Sequence, residues 1–324
     1  MTPLVSEPAP VIEVVGPEAA AVVLEVVRTA FADRPMLDPP TDALAETEET
    51  IAARIAAGAG LVARVDGQAA GAVLLDAEPD GRTVHLRRFG LTPAARGRGV
   101  AVALVRAGLL AAAGLGDGRA ERAVVFAREE LPHTVRFWRQ QGFAETDRRP
   151  PYVELARALP RRYAVPTADD MRALATRIAG LVRAGDVLVL SGDLGAGKTT
   201  FTQGLGDALQ VRGNITSPTF VISRVHPSLV GGPDLVHVDA YRLGGAAELD
   251  DLDLDTDLDR AVTVVEWGEG LAEDLAESPL EIRILRTVGG SDEVADAVEV
   301  GDADPRTVEI DPLGPRWLDV DLRW

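Results

Sequence analysis

The residues with the clearest chemistry are Gly192-Asp193-Leu194-Gly195-Ala196-Gly197-Lys198-Thr199, a match to G-x-x-x-x-G-K-[ST]. Glycines at 192, 195 and 197 let the backbone turn around an anion and aim consecutive N–H groups, with a helix N-terminus, at phosphates. In that loop Lys198 reaches the β- and γ-phosphates of ATP, the hydroxyl of Thr199 ligates Mg²⁺, and Thr200 lies close to the α-phosphate. Lys198 is also the only lysine in the chain, the other basic residues all being arginine. A compact ammonium fits between phosphate oxygens where a planar guanidinium does not, so its survival here marks a chemical need.

A phosphate loop needs an acidic residue at the end of a neighbouring strand to hold Mg²⁺ or its waters. Asp239 ends Leu235-Val236-His237-Val238 and Glu266 ends Val262-Thr263-Val264-Val265, which places both carboxylates at the carboxyl edge of a sheet. Ser217-Pro218-Thr219-Phe220 sits where a switch segment would carry Thr219 toward the γ-phosphate. A second anion cradle is legible upstream. Arg96-Gly97-Arg98-Gly99-Val100-Ala101 has the form [QR]-x-x-G-x-[GA] after a strand ending at Leu91 and before a helix, with amides at Gly97, Gly99 and Ala101 that suit a pyrophosphate.

The elements that must position these residues follow from apolar spacing. Strands are expected at 11–15, 61–65, 70–76, 83–91, 123–126 and 152–156, and helices at 17–32, 44–57, 100–113 and 134–141. Asp66-Gly67 reads as a hairpin turn. Pro160-Arg161-Arg162 reads as a short linker, dividing the chain into domains 1–159 and 160–324. After it come a helix at 168–182, a buried strand at 186–190, the phosphate loop, a helix at 199–209, and strands at 220–225, 235–239, 262–266, 281–285 and 307–310. The fold class is α/β in both halves. The Leu/Asp-rich stretch 248–259 lacks the glycine and closing glutamate of a calcium loop and reads as a solvated acidic segment.

A formal net charge of −18 opposes direct, tight binding to a nucleic-acid backbone. Charged residues and glycines interrupt every apolar run before the roughly 20 residues of a membrane span, which points to a cytoplasmic protein with no membrane partner. With no cysteine there is neither a disulfide framework nor a thiolate metal site.

From about Tyr163 onward, the phosphate loop with Thr200, then 217–220, then His237-Val238-Asp239-Ala240-Tyr241-Arg242-Leu243, then Val265-Glu266-Trp267 resemble, in that order, the bacterial TsaE (YjeE) ATPases. The resemblance implies a P-loop three-layer fold and ATP hydrolysis supporting threonylcarbamoyl transfer to the adenosine beside the anticodon of tRNA, with TsaB and TsaD as partners that hold the tRNA. It also implies that Thr199 and Glu266 bind Mg²⁺, that Asp239 acts through water with Lys198 at the catalytic centre, and that Trp267 packs near the nucleotide. A small-molecule kinase on the same loop is the alternative. Residues from about 8 to 158, with the Arg/Gly loop followed by Thr134-Val135-Arg136-Phe137-Trp138-Arg139-Gln140-Gln141-Gly142-Phe143, resemble the GNAT N-acetyltransferases. That implies acetyl-CoA with its pantetheine along the strand ending at Leu91 and its pyrophosphate on Arg96 to Ala101. Trp138 stands where many such enzymes have a tyrosine that protonates the leaving thiolate, and an indole cannot do so. A non-catalytic acyl-CoA-binding module is therefore the alternative for this half. His85 and Glu129 are visible as bases, with neither assigned.

Overall fold

A computed structural model describes residues 9–216, 223–242, 259–268, 275–286 and 305–324. The chain divides into two compact units, Met1–Leu159 and Pro160–Trp324.

In the first unit the strands are β1 (Val11–Val15), β2 (Ala59–Val65), β3 (Gln68–Ala77), β4 (Thr83–Leu91), β5 (Arg122–Arg128), β6 (Ala144–Arg149) and β7 (Tyr152–Ala158). The helices are α1 (Ala20–Ala32), α2 (Glu48–Ala57), α3 (Val100–Ala113) and α4 (Pro132–Gln140). One sheet of order β1-β2-β3-β4-β5-β7-β6 carries them. Asp66 and Gly67 have φ of 52° and 76°, the left-handed pair that lets a two-residue turn follow the strand twist between β2 and β3. Leu61, Val73 and Leu75 face α3, whereas Val62, Ala72 and Leu74 face α1 and α2, so period-two alternation buries both sides of the sheet. Each fully buried Leu or Val contributes roughly 1.5–3 kcal/mol.

All neighbours in this sheet are antiparallel except β4 and β5. Those two pair in parallel only from Thr83↔Arg122 to His85↔Val124. Beyond His85, β4 stays with β3 as far as Leu91 and β5 stays with β7 as far as Arg128, so the sheet opens as a wedge. A register shift between Ala72 and Leu74 falls opposite Arg88, whose φ of 53° is left-handed. A non-glycine residue held there is strained unless its surroundings fix it. Here Arg88 Nη1 and Nη2 donate to Asp42 at 2.8 and 3.1 Å, and Nε donates to Glu46 at 2.7 Å.

The second unit holds β8 (Arg161–Val165), α5 (Ala168–Ala179), β9 (Val187–Ser191), α6 (Lys198–Leu209), β10 (Ser223–His226), β11 (Asp234–Asp239), β12 (Ala261–Glu266), β13 (Leu280–Arg286) and β14 (Arg306–Pro312). Sheet order is β10-β11-β12-β9-β13-β14-β8, with β11, β12, β9 and β13 parallel at the centre. Helix α5 packs on α6, and α6 packs on β11 and β12. On the other face Val187, Val189, Val236 and Val238 meet Leu275 and Ala276.

Several expectations from sequence are corrected. Arg161 and Arg162 are not linker but the start of edge strand β8, paired with β14 from Arg161↔Ile310 to Val165↔Arg306. Arg162 donates to the buried Glu309 at 3.0 Å, so its charge belongs to the sheet edge. The helix expected at 44–57 is a 3₁₀ turn, Asp42–Ala45, followed by α2, which starts at a capping box between Thr47 and Thr50. Likewise 17–32 begins with a 3₁₀ turn at Pro17–Ala19, and α5 stops at Ala179 before Gly180 rather than at Val182. Strand β6 was not expected, because Ala144-Glu145-Thr146-Asp147-Arg148-Arg149 shows no apolar alternation. The expected strand at 220–225 is seen from Ser223, and Thr219, 220–222 and most of 248–259 lie outside the described residues.

Candidate functional site

The phosphate loop joins the end of β9 to the start of α6. Gly192, Gly195 and Gly197 have φ of 142°, 75° and 116°, values that a side chain opposes. A Cβ at Gly192 would also come within 2.5 Å of the Ile284 carbonyl oxygen, so glycine is needed there for space as well as for conformation. Gly197 is the N-cap of α6 and offers no side-chain cap, which leaves the first amides of the helix pointing into the loop. Lys198 is buried, and its Nζ donates to the Gly192 and Asp193 carbonyl oxygens at 2.7 and 3.1 Å. The Trp267 ring centroid lies 3.6 Å from Nζ, and Tyr241 packs on that indole at 5.1 Å. Trp267 is itself left-handed, with φ of 62°, and its N–H donates to the Leu190 carbonyl oxygen at 2.9 Å. Burial pushes the Lys198 ammonium below its ordinary pKa, against the opposing pull of Glu266, Asp239 and Asp193.

Parallel pairing of β11 with β12 sets Asp239 beside Glu266 at the strands' carboxyl ends, as expected from sequence. Glu266 is 2% exposed. The Thr199 hydroxyl lies 3.2 and 3.4 Å from its two oxygens, bringing the two expected Mg²⁺ ligands together. Asp239 Oδ1 accepts from the Tyr241 N–H at 3.1 Å. No group of three His, Cys, Asp or Glu side chains capable of holding a metal occurs among the described residues. One hydroxyl and one carboxylate nevertheless fit Mg²⁺, which usually takes one or two carboxylates and completes its shell with phosphate and water. Two participants escaped the sequence reading. His237, fully buried on β11, contacts Glu266 Oε1 through Nε2 at 2.8 Å. Its place two residues before Asp239, on the same face of the strand, was the available signal. Arg306 Nη2 donates to the Gly195 carbonyl oxygen at 3.2 Å, a contact across 111 residues that no local pattern encodes.

In the first unit the wedge between β4 and β5 holds two adjoining cavities. One, of about 480 Å³, is lined by Leu91, Arg96, Ala101, Phe137 and Trp138 among others. The other, of about 390 Å³, is lined by Arg87, Phe126, Arg128 and Tyr152 among others, and both share Arg34, Phe89, Thr134 and Trp138. Gly97 and Gly99 have φ of 76° and 70°, with open space where a Cβ would stand. Gly99 caps α3 without a side chain. The side chain of Val100 is buried in the core, leaving only its backbone toward the loop. Arg96 pairs with Asp33 at 2.6 Å and Arg98 with Asp66 at 3.4 Å. Trp138 is 4% exposed within a cluster of Phe89, Phe137 and Phe143. His85 contacts Glu78 at 2.8 Å and stacks on Phe126, while Glu129 pairs with Arg148 at 3.6 Å; neither lines either of these two cavities.

Residues 165–293 match the family model for threonylcarbamoyl adenosine biosynthesis protein TsaE, and residues 25–143 match that of the acetyltransferase (GNAT) family. The tRNA threonylcarbamoyladenosine biosynthesis protein TsaE of Streptomyces coelicolor is 58% identical over 153 residues, covering 47% of this chain and 97% of that protein. Its counterpart from Mycobacterium tuberculosis is 52% identical over 129 residues, 38% of this chain and 77% of that one. A PaiA N-acetyltransferase from Thermoplasma acidophilum, solved in complex with coenzyme A, is 14% identical with a TM-score of 0.40, covering 46% of this chain and 98% of its own. No helix among the described residues is long and apolar enough to cross a membrane. The chain belongs to the TsaE family through its second unit, and its first unit matches the acetyltransferase (GNAT) family model.

Proposed function

We propose that the second unit hydrolyses ATP in support of threonylcarbamoyl transfer to the anticodon-adjacent adenosine of tRNA, acting in the cytoplasm with TsaB and TsaD. The observation that carries this reading is the pairing of Thr199, the first residue after the loop lysine, with the buried Glu266. On binding ATP, Lys198 exchanges the Gly192 and Asp193 carbonyls for β- and γ-phosphate oxygens, with the loop amides from Asp193 to Thr199 completing the cradle. Leu194 and Ala196 contribute there through their backbone, and Thr200 lies toward the α-phosphate. Trp267 stays over the Lys198 chain and packs near the nucleotide. Thr199 and Glu266 hold Mg²⁺, which neutralises charge developing on the phosphate oxygens. His237 fixes the Glu266 carboxylate, and Asp239 orients the attacking water. At a net charge of −18 the chain leaves the grip on tRNA to its partners. The test is phosphate release with and without TsaB and TsaD. Turnover should rise with the partners and vanish in Lys198→Ala and Glu266→Ala; hydrolysis indifferent to both partners would remove the pathway while leaving the nucleotide site.

The first unit, in the same reading, transfers an acetyl group from acetyl-CoA to an amine. Its wedge supports this, with Leu91 along the pantetheine and the Arg96-Gly97-Arg98-Gly99-Val100-Ala101 loop on the pyrophosphate. A second reading, an acyl-CoA-binding module without turnover, is favoured by the buried Trp138 alone. Acetyl transfer to any amine at an ordinary enzymatic rate would remove it.

A further inference from the structure

The acceptor side of the first unit's wedge is cationic. Four arginines, Arg34, Arg87, Arg88 and Arg128, line the cavity of about 390 Å³, against one acidic side chain, Asp42. Three of the four already have carboxylate partners: Arg88 with Asp42 and Glu46, Arg128 with Glu130 at 2.7 Å, and Arg87 with Asp76 at 3.6 Å. Arg34 has none among the described residues. Its Nη2 donates to the Phe89 carbonyl oxygen at 3.2 Å, and its guanidinium lies 3.7 Å from the Phe31 ring centroid. Burial, and then the nearby Arg96, push it down to about 10, as expected of a cation that lacks a counter-charge. Arg34 also lines the neighbouring cavity, so it stands where an acceptor nitrogen would meet a thioester.

Building on the acetyl-CoA reading given above, we propose that the acceptor is a small amine bearing a carboxylate, an amino acid or close analogue, whose carboxylate is held by Arg34. A partly buried guanidinium without a counter-ion gains most from a carboxylate, which can take two parallel N–H donors. A polyamine would meet a wall whose one acid is already held by Arg88, and 390 Å³ is the size of a small-molecule site. In the reaction the ammonium gives a proton to solvent and its nitrogen forms a bond to the acetyl carbonyl carbon. The nitrogen gives up its second proton as the carbon–sulfur bond breaks, and the thiolate takes up a proton in its place, giving an amide and free coenzyme A. The acceptor carboxylate is unchanged throughout, so Arg34 sets specificity and takes no part in electron flow.

The test measures thiol release by the full chain with amino acids, their carboxamides and the matching amines without a carboxyl group. Carboxylates should lead by about tenfold or more in kcat/KM, the scale of one charge-assisted pair. Arg34→Gln should erase that lead through the acceptor KM and leave the acetyl-CoA KM unchanged, with Arg34→Lys keeping part of it. Carboxamides that equal the acids, or an Arg34→Gln defect confined to acetyl-CoA, would overturn the proposal. Calorimetry on the CoA-loaded chain with N-acetyl amino acids against their carboxamides reads the same preference without turnover. A chain that does not bind coenzyme A fails the acetyltransferase reading; one that binds it yet does not favour the carboxylate fails this proposal alone.

Discussion

The Gly192–Thr199 and Arg96–Ala101 loops solve the same first problem and part at the second. Each follows a strand, turns on left-handed glycines and opens a helix whose N-cap is a glycine, so each presents free amides to an anion. Around the first loop the start of α6 adds an ammonium and a hydroxyl, and the parallel sheet adds two carboxylates on neighbouring strand ends. Around the second, the nearest charges are arginines already matched by Asp33 and Asp66, and the sheet opens into cavities instead. Amides alone grip a phosphate; changing it takes the charged groups that only the first loop collects.

The largest effect that would break this contrast is at Lys198. Lys198→Ala should lower ATP turnover by on the order of a hundredfold or more, the scale of losing one preorganised charge contact. Lys198→Arg should not restore it, since a planar guanidinium does not fit between the phosphate oxygens as the compact ammonium does. Phosphate-release rates decide both.

Next come the glycines. Gly197→Ala places a side chain at φ 116° with Met171 Cε 3.3 Å away, whereas Gly99→Ala meets open space at φ 70°. The second substitution should cost about 1 kcal/mol of backbone strain and raise the acetyl-CoA KM modestly; the first should abolish ATP binding. Equal effects in the two binding titrations would mean that the loops are not used alike.

Alkaline pH gives a smaller, graded effect. Because burial depresses the Lys198 pKa, the folded chain releases this proton at a lower pH than the unfolded chain does. The buried ammonium therefore costs stability at neutral pH, and that cost fades as pH rises through the folded pKa. ATP affinity should fall over the same range, beginning below the 10.5 of an ordinary lysine, while acetyl-CoA affinity follows no such curve. Titrations of both ligands between neutral and alkaline pH check this.

The smallest effect concerns Trp138. If the indole passes no proton, Trp138→Phe should leave the acetyl-transfer kcat nearly unchanged and lower the melting temperature, because a buried ring loses volume inside its aromatic cluster. A kcat that collapses with the fold intact would give the indole a role in the reaction.

What could be read from sequence was whatever local spacing encodes. Thr83 to Leu91 and Val100 to Ala113 match the observed β4 and α3 end to end, because apolar alternation and a glycine-bounded helix are local signals. Asp239 and Glu266 each stood at the end of an apolar run, so their sheet-edge position followed from periodicity. His237 was visible as a letter, but its role depends on facing Glu266 across two strands, which periodicity alone does not supply. Arg161–Val165 was misjudged because a proline followed by two arginines looks like a turn, and only the distant β14, with Glu309 to meet Arg162, makes it a strand. Arg34 was invisible for a similar reason: apart from Phe31, the groups around it, the Phe89 carbonyl and Arg96, are distant in sequence, and the missing carboxylate is a property of the folded cavity.

The most direct test of the account is equilibrium binding of ATP and of acetyl-CoA to the full chain and to Lys198→Ala. The account predicts that the wild-type chain binds both and that the variant loses ATP while holding acetyl-CoA with unchanged affinity. A variant that loses both ligands, or keeps both, would contradict the assignment of one phosphate chemistry to each loop.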